Sequence, residues 1–197
     1  ISAVTADVIP HYFEGAQRTF LTPEYSLNSP WELLLYTLMG FIAALASVGF
    51  SRMLYFSEDI WNLIRIPEPT KPIFGGVLLG LLGIASYQID GFPRVFGVGY
   101  ETIESTLFSQ LTLQVTFGLL ILKLIATTLT LGSGGSGGIF APSLFMGAML
   151  GASFGQIAHT LFPEIVAPSG AYALVGMAAS PSRAASGPPH PILIAPF

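Results

Sequence analysis

Residues 132–151, GSGGSGGIFAPSLFMGAMLG, are the stretch of this chain whose residue types and spacing could hold a ligand. A glycine-rich run opens directly into an uncharged helix candidate interrupted at Pro142. Glycine allows sharp turns and lets an ion approach the main chain closely. A helix start leaves backbone N–H groups unpaired and carries partial positive charge. The combination makes an anion site from main chain alone. The amides of Ile139 and Phe140 are the expected donors, because they lie in the first turn ahead of Pro142. Amides without basic side chains would hold an anion weakly enough to release it. Two plainer readings stand beside this one: a glycine hinge between two helices, and an artificial Gly/Ser spacer. Against the spacer stand the specific sequence IFAPSL that follows and the apolar segment on each side.

Other chemistry is hard to place. The three histidines, His11, His159 and His190, have no ligand spacing. Ser136 sits between glycines but lacks a strand-turn-helix setting and a partner histidine. GSGGSGG is followed by Ile139 and Phe140 where a phosphate loop needs Lys. No enzyme and no cofactor are expected, only an anion as the species handled. Cysteine is absent, so disulfides and thiolate metal sites are excluded. Lys123 lies in an apolar segment, where an ionisable side chain suggests function. The plainer expectation is that it snorkels to an interface or bonds helix-terminal carbonyls.

The elements that must position the glycine run are membrane spans. The chain is 52% hydrophobic and 9% charged, against about 25% charged in soluble domains, and its mean hydropathy is +0.69. So few charges cannot cover a water-facing surface, and a lipid bilayer is the expected surroundings. A net charge of −4 leaves no basic footprint for nucleic acid. The sequence predicts an all-α integral membrane protein. Ile1–Pro10 reads as the tail of a span, and 11–30 as a polar loop. Ser29-Pro30-Trp31-Glu32 reads as a helix start with a hydroxyl cap and an acid at the positive end. Spans are expected over 33–51 (extending to about Trp61), 72–88, 107–131 and 139–159, with a further apolar helix over 171–179. Residues 89–104 read as a loop in which Gly97-Val98-Gly99 is a turn. Gly75, Gly76, Gly80 and Gly83 are expected to share one packing face, and small residues recur from Gly147 to Gly155. Arg52, Arg65 and Lys71 cluster in one connection, which the positive-inside bias places in the cytoplasm.

GSGGSGGIFAPSLFMGAMLG resembles the third signature of the CLC chloride channels and chloride/proton exchangers. SPWELLLYTLMG, GVGYETIE, KLIATTLTLGSG and GAYALVGMAA resemble bacterial members in the expected order, so the resemblance covers about residues 1–179. It implies the C-terminal part of a membrane domain built from two inverted halves of tilted, often broken transmembrane helices. It also implies a homodimer with one anion pathway per subunit, in the bacterial inner membrane. By motif match, the backbone amides of Ile139 and Phe140 would coordinate a chloride ion, and Gly137, Gly138, Ala141 and Pro142 would shape the helix start.

The sequence also departs from the family. Neither GSGIP nor G-[KR]-E-G-P, the signatures of the first half, occurs in it, and the tyrosine of the last membrane helix has no counterpart. Residues 180–197, SPSRAASGPPHPILIAPF, hold five prolines and form a divergent tail that cannot be an ordinary helix interior. The expected function is anion transport as a fragment of a channel or antiporter. The alternative is a truncated membrane remnant or scaffold that transports nothing.

Overall fold

A computed structural model describes residues 29–180 except Pro93 and Glu164, together with Pro23 and Tyr25. The expectations for Ile1–Pro10, for most of the 11–30 loop and for the tail beyond Ser180 lie outside the described residues. The described chain forms α1 (Glu32–Leu63), a 3-10 turn (Glu68–Thr70), α2 (Lys71–Asp90), α3 (Tyr100–Leu107), α4 (Leu113–Gly132), α5 (Phe140–Leu161) and α6 (Ser169–Ala179). Four of these, α1, α2 (counted with the 3-10 turn), α4 and α5, are long and apolar enough to cross a bilayer.

α5 is the centre of the packing. Its Phe145, Ala148, Met149 and Ala152 are fully buried against Ile103 and Leu107 of α3, Leu119 of α4, and Ala173 and Met177 of α6. α1 and α2 lie outside this core against α4, and α1 also contacts α6. Their outer faces present Leu34, Leu38, Phe41 and Leu45 on α1 and Phe74, Val77, Leu81 and Ile84 on α2. Such a continuous apolar exterior suits hydrocarbon, not water.

The closest packing is between α5 and α6, and it is made by small residues as expected. A Cβ on Gly147 would run into the Gly176 carbonyl, and one on Gly151 would meet the backbone of Tyr172 and Ala173. Without side chains at these positions the two backbones touch directly, which maximises dispersion contact where hydrophobic transfer gives no driving force.

Several expectations need correction. The third span begins at Leu113 and not at Leu107, because Ser109 takes a positive φ of 56° and breaks the chain between α3 and α4. Residues 100–104, expected as loop, belong to a helix that runs from Tyr100 to Leu107. Ile103, Thr106 and Leu107 recur at helical spacing and are buried under α5, while Glu101 and Ser105 on the other side give the segment its polar look. The four glycines of α2 do not form one seam: Gly75 meets Ser133 and Gly83 meets Phe96, whereas Gly76 and Gly80 face open space.

The start of α1 differs as well. Trp31 occupies the cap position without a side-chain cap bond, and Ser29 acts mainly through its carbonyl, which accepts from Glu32 N at 3.0 Å. Glu32 lies in the first turn as expected, and it is fully buried. Its Oε1 accepts from Ala167 N (2.8 Å), Tyr36 Oη (2.9 Å) and Tyr172 Oη (3.4 Å). One carboxyl group thus ties α1 to the connection before α6 and to α6 itself.

Candidate functional site

The glycine run closes α4 and starts α5. Gly134 N donates to Leu131 O (3.0 Å) and Gly135 N to Thr130 O (2.9 Å), the pair of bonds that defines a Schellman C-cap. Gly134 supplies the left-handed residue this motif needs, at φ 84°. At Gly135 a Cβ would lie 2.7 Å from Thr130 O. The glycines at these two positions are therefore demanded by the turn. This geometry argues against the loose-spacer reading.

After the cap the chain runs through 135–138 without regular structure, and Ile139 enters the helical region at φ −89°, ψ −28°. Four N–H groups lack an intrahelical acceptor at a helix start. Here they belong to Ile139, Phe140, Ala141 and position 142, and Pro142 has no N–H to offer. Ser143 N makes the first bond of the ladder, to Ile139 O at 3.1 Å. No described residue accepts from the amides of Ile139, Phe140 or Ala141. The contrast with α6 is direct: Gly170 N at its start is satisfied by Ser109 Oγ at 3.2 Å. Ile139 and Phe140 are exposed, Phe140 by 65%.

Beside this helix start lies a cavity of about 360 Å³. Gly137, Gly138, Ala141 and Pro142 line it together with Ser136, as do Lys123, Thr127 and Thr130 of α4 and the 95–98 loop. The structure therefore brings all four shaping candidates to one cavity wall, with Ile139 and Phe140 at the helix start they flank. Sequence reasoning assigned Ala141 to shaping alone; its unpaired amide emerges only once Phe140 is fixed as the first helical residue.

Lys123 corrects another expectation. It bonds loop carbonyls and not a helix terminus, and it is 4% exposed. Its Nζ donates to Val95 O (2.9 Å) and Gly97 O (2.6 Å) in the loop ahead of α3 and lies 4.9 Å from the centre of the Phe145 ring. The Gly97-Val98-Gly99 turn, with both glycines at positive φ, presents one of these carbonyls to it. The signal in the sequence was the lone cation in an apolar span; its partners, 26 and 28 residues away, were not legible.

An apolar helical exterior surrounds an irregular glycine stretch that lines a cavity, the only setting in which such backbone is tolerated within a bilayer. This is an all-helical integral membrane protein with a glycine-rich break between two of its spans. The family model described as voltage gated chloride channel matches residues 1–195, and the chain belongs to that family. A ClcB-like protein of Ralstonia nicotianae, assigned as a chloride channel, is 33% identical over 91% of this chain and 40% of its own length. The chloride channel protein CLC-f of Arabidopsis thaliana is 31% identical over 98% of this chain and 26% of its own. The H(+)/Cl(-) exchange transporter ClcA of Vibrio campbellii is 27% identical over 91% of this chain and 38% of its own. The chain thus spans two-fifths or less of the length of these relatives.

Proposed function

We propose that this chain supplies one wall of an anion pathway, with chloride held by the backbone amides at the start of α5. The observation that carries this reading is the set of unpaired N–H groups on Ile139, Phe140 and Ala141 beside the cavity. A helix N-terminus of this kind attracts an anion by aligned dipoles and direct hydrogen bonds. Gly137 and Gly138 let the ion approach, and Pro142 ends the donor series without competing for an acceptor. Transport as a channel or exchanger then belongs to a protein that places further donors opposite α5. The same reading places the chain in a bacterial inner membrane, as part of a homodimer, with the 64–70 connection between α1 and α2, flanked by Arg52 and Lys71, on the cytoplasmic side.

Phe140→Pro tests the donor assignment. Proline is well tolerated at the first helical position and deletes one amide, but it disfavours the helical angles that Ile139 holds, so the variant's melting is compared with the parent's alongside binding. In the complete gene product, calorimetry is expected to show chloride binding roughly 10-fold weaker or worse, since a hydrogen bond to a charged group contributes roughly 1.5–3 kcal/mol. Binding equal to the parent's would refute the assignment. A second outcome concerns the 197-residue polypeptide by itself. Because the described residues donate to the anion from one side only, liposomes containing this polypeptide are expected to show no chloride efflux above empty liposomes. Measurable efflux would show that it forms a pathway unaided.

A further inference from the structure

Among the residues lining the cavity, only Lys123 carries a charge. No described acid pairs with it. The two threonine hydroxyls on the same wall are already committed as donors within α4: Thr127 Oγ1 to Lys123 O at 2.8 Å, and Thr130 Oγ1 to Ala126 O at 2.7 Å. They turn lone pairs, not hydrogens, toward the cavity. The loop opposite would present the negative ends of the Val95 and Gly97 carbonyls, and the Lys123 ammonium sits on both. Without it, the oxygens of this wall would oppose an anion, against only the Ser136 hydroxyl and the unpaired Ala141 amide on the same cavity.

We infer that Lys123 is a positioning residue for the anion: its buried charge cancels the loop carbonyls and makes the cavity wall beside the α5 start electropositive. The inference rests on the anion site proposed above. The ammonium need not touch the ion. In a poorly screened interior a full charge acts over many ångströms, and a buried lysine without a counter-ion is costly enough to need a purpose. Its place over the Phe145 ring adds a geometric role, since Phe145 stands on α5 five residues beyond Phe140. The same side chain thereby holds the loop and the helix start in register.

The test is chloride calorimetry on the complete gene product carrying Lys123→Arg, Lys123→Met, Lys123→Gln, Ser136→Lys or Phe140→Pro, each first checked for monodispersity. The arginine variant is expected to bind within about threefold of the parent, because charge and donors are retained. The methionine and glutamine variants are expected to bind roughly tenfold more weakly or worse. Ser136→Lys, on an exposed residue of the same wall, is expected to tighten binding several-fold. A purely structural lysine would lower the melting temperature and leave the affinity of the folded fraction unchanged. Parent-like affinity in the methionine or glutamine variant overturns the inference. If both neutral variants fail to fold, parent-like affinity in Ser136→Lys overturns it, because the ion then does not feel charge on this wall. Weak binding by Phe140→Pro alongside parent-like Lys123→Met refutes the lysine role alone. Parent-like binding by both refutes the anion site itself.

Discussion

Gly151→Ala is expected to abolish correct packing of α6 on α5, and Gly151→Val to leave no folded protein. The added Cβ would press into the Tyr172 carbonyl and lie 2.7 Å from Tyr172 C and 2.9 Å from Ala173 Cα. These are backbone atoms in a helix, which cannot rotate aside as a side-chain tip would. Overpacking of a core costs typically about 1–3 kcal/mol when neighbours can adjust; here they cannot, and the cost exceeds that range. Gly147→Ala is expected to behave similarly, since Gly176 C lies 2.9 Å from its would-be Cβ. Gly40→Ala on α1 is the control, with nothing within 4 Å of the new methyl. It removes a helix-interior glycine and is expected to be neutral or stabilising by up to about 1 kcal/mol. Size-exclusion profiles of detergent-solubilised protein after graded heating separate these outcomes. A Gly151→Ala protein that elutes and melts like its parent would show that the seam is looser than described.

Glu32→Ala carries the second largest effect. The carboxyl group is fully buried and accepts from the Ala167 amide and two tyrosine hydroxyls. Removing it strands the buried Ala167 and Tyr172 donors, each at roughly 1–3 kcal/mol, along with the partly buried Tyr36 hydroxyl, and opens space beside the Tyr36–Tyr172 ring pair, whose centroids are 4.8 Å apart. An apparent Tm falls by roughly 2–4 °C per kcal/mol in a chain of this size. The alanine variant is therefore expected to lose about 10 °C or more. Glu32→Gln keeps an acceptor oxygen but introduces an NH2 group into the same enclosure, so a smaller loss is expected. Equal melting of parent and alanine variant would mean that the donors find other acceptors, and that Glu32 does not tie α1 to α6.

These two residues also show what was legible from the sequence and what was not. Spans of 20 or so apolar residues announce themselves, and α1, α2, α4 and α5 fall where hydropathy and length put them, apart from the late start of α4. The small residues of α5 were recognisable as a packing face because membrane helices leave few other uses for them. Glu32 was visible only as an acid in a first turn, since two of its partners are 135 and 140 residues away. The short α3 was missed although Thr102, Ile103, Thr106 and Leu107 recur at helical spacing, because two of the four are threonines and two glutamates and a glycine-rich flank give the segment a loop's composition. At the candidate site the helix start, the glycine turn and Pro142 were readable locally, because capping is a nearest-neighbour affair. The cavity beside them and the clamp of Lys123 on the 95–97 loop depend on long-range packing, which no local pattern encodes.

The brevity of α6 bears on how the protein is made. Its 11 residues rise only about 16 Å, roughly half the hydrocarbon thickness. These described residues gain less from lipid than a full span does, and docking on α5, whose 22 residues are long enough to cross, supplies further stabilisation. α5, the connection and α6 are thus one unit of biogenesis, and the bare glycine backbone between them is the surface on which that unit assembles. Lesions in the seam would act during synthesis, as failed insertion followed by degradation, before any question of anion passage arises.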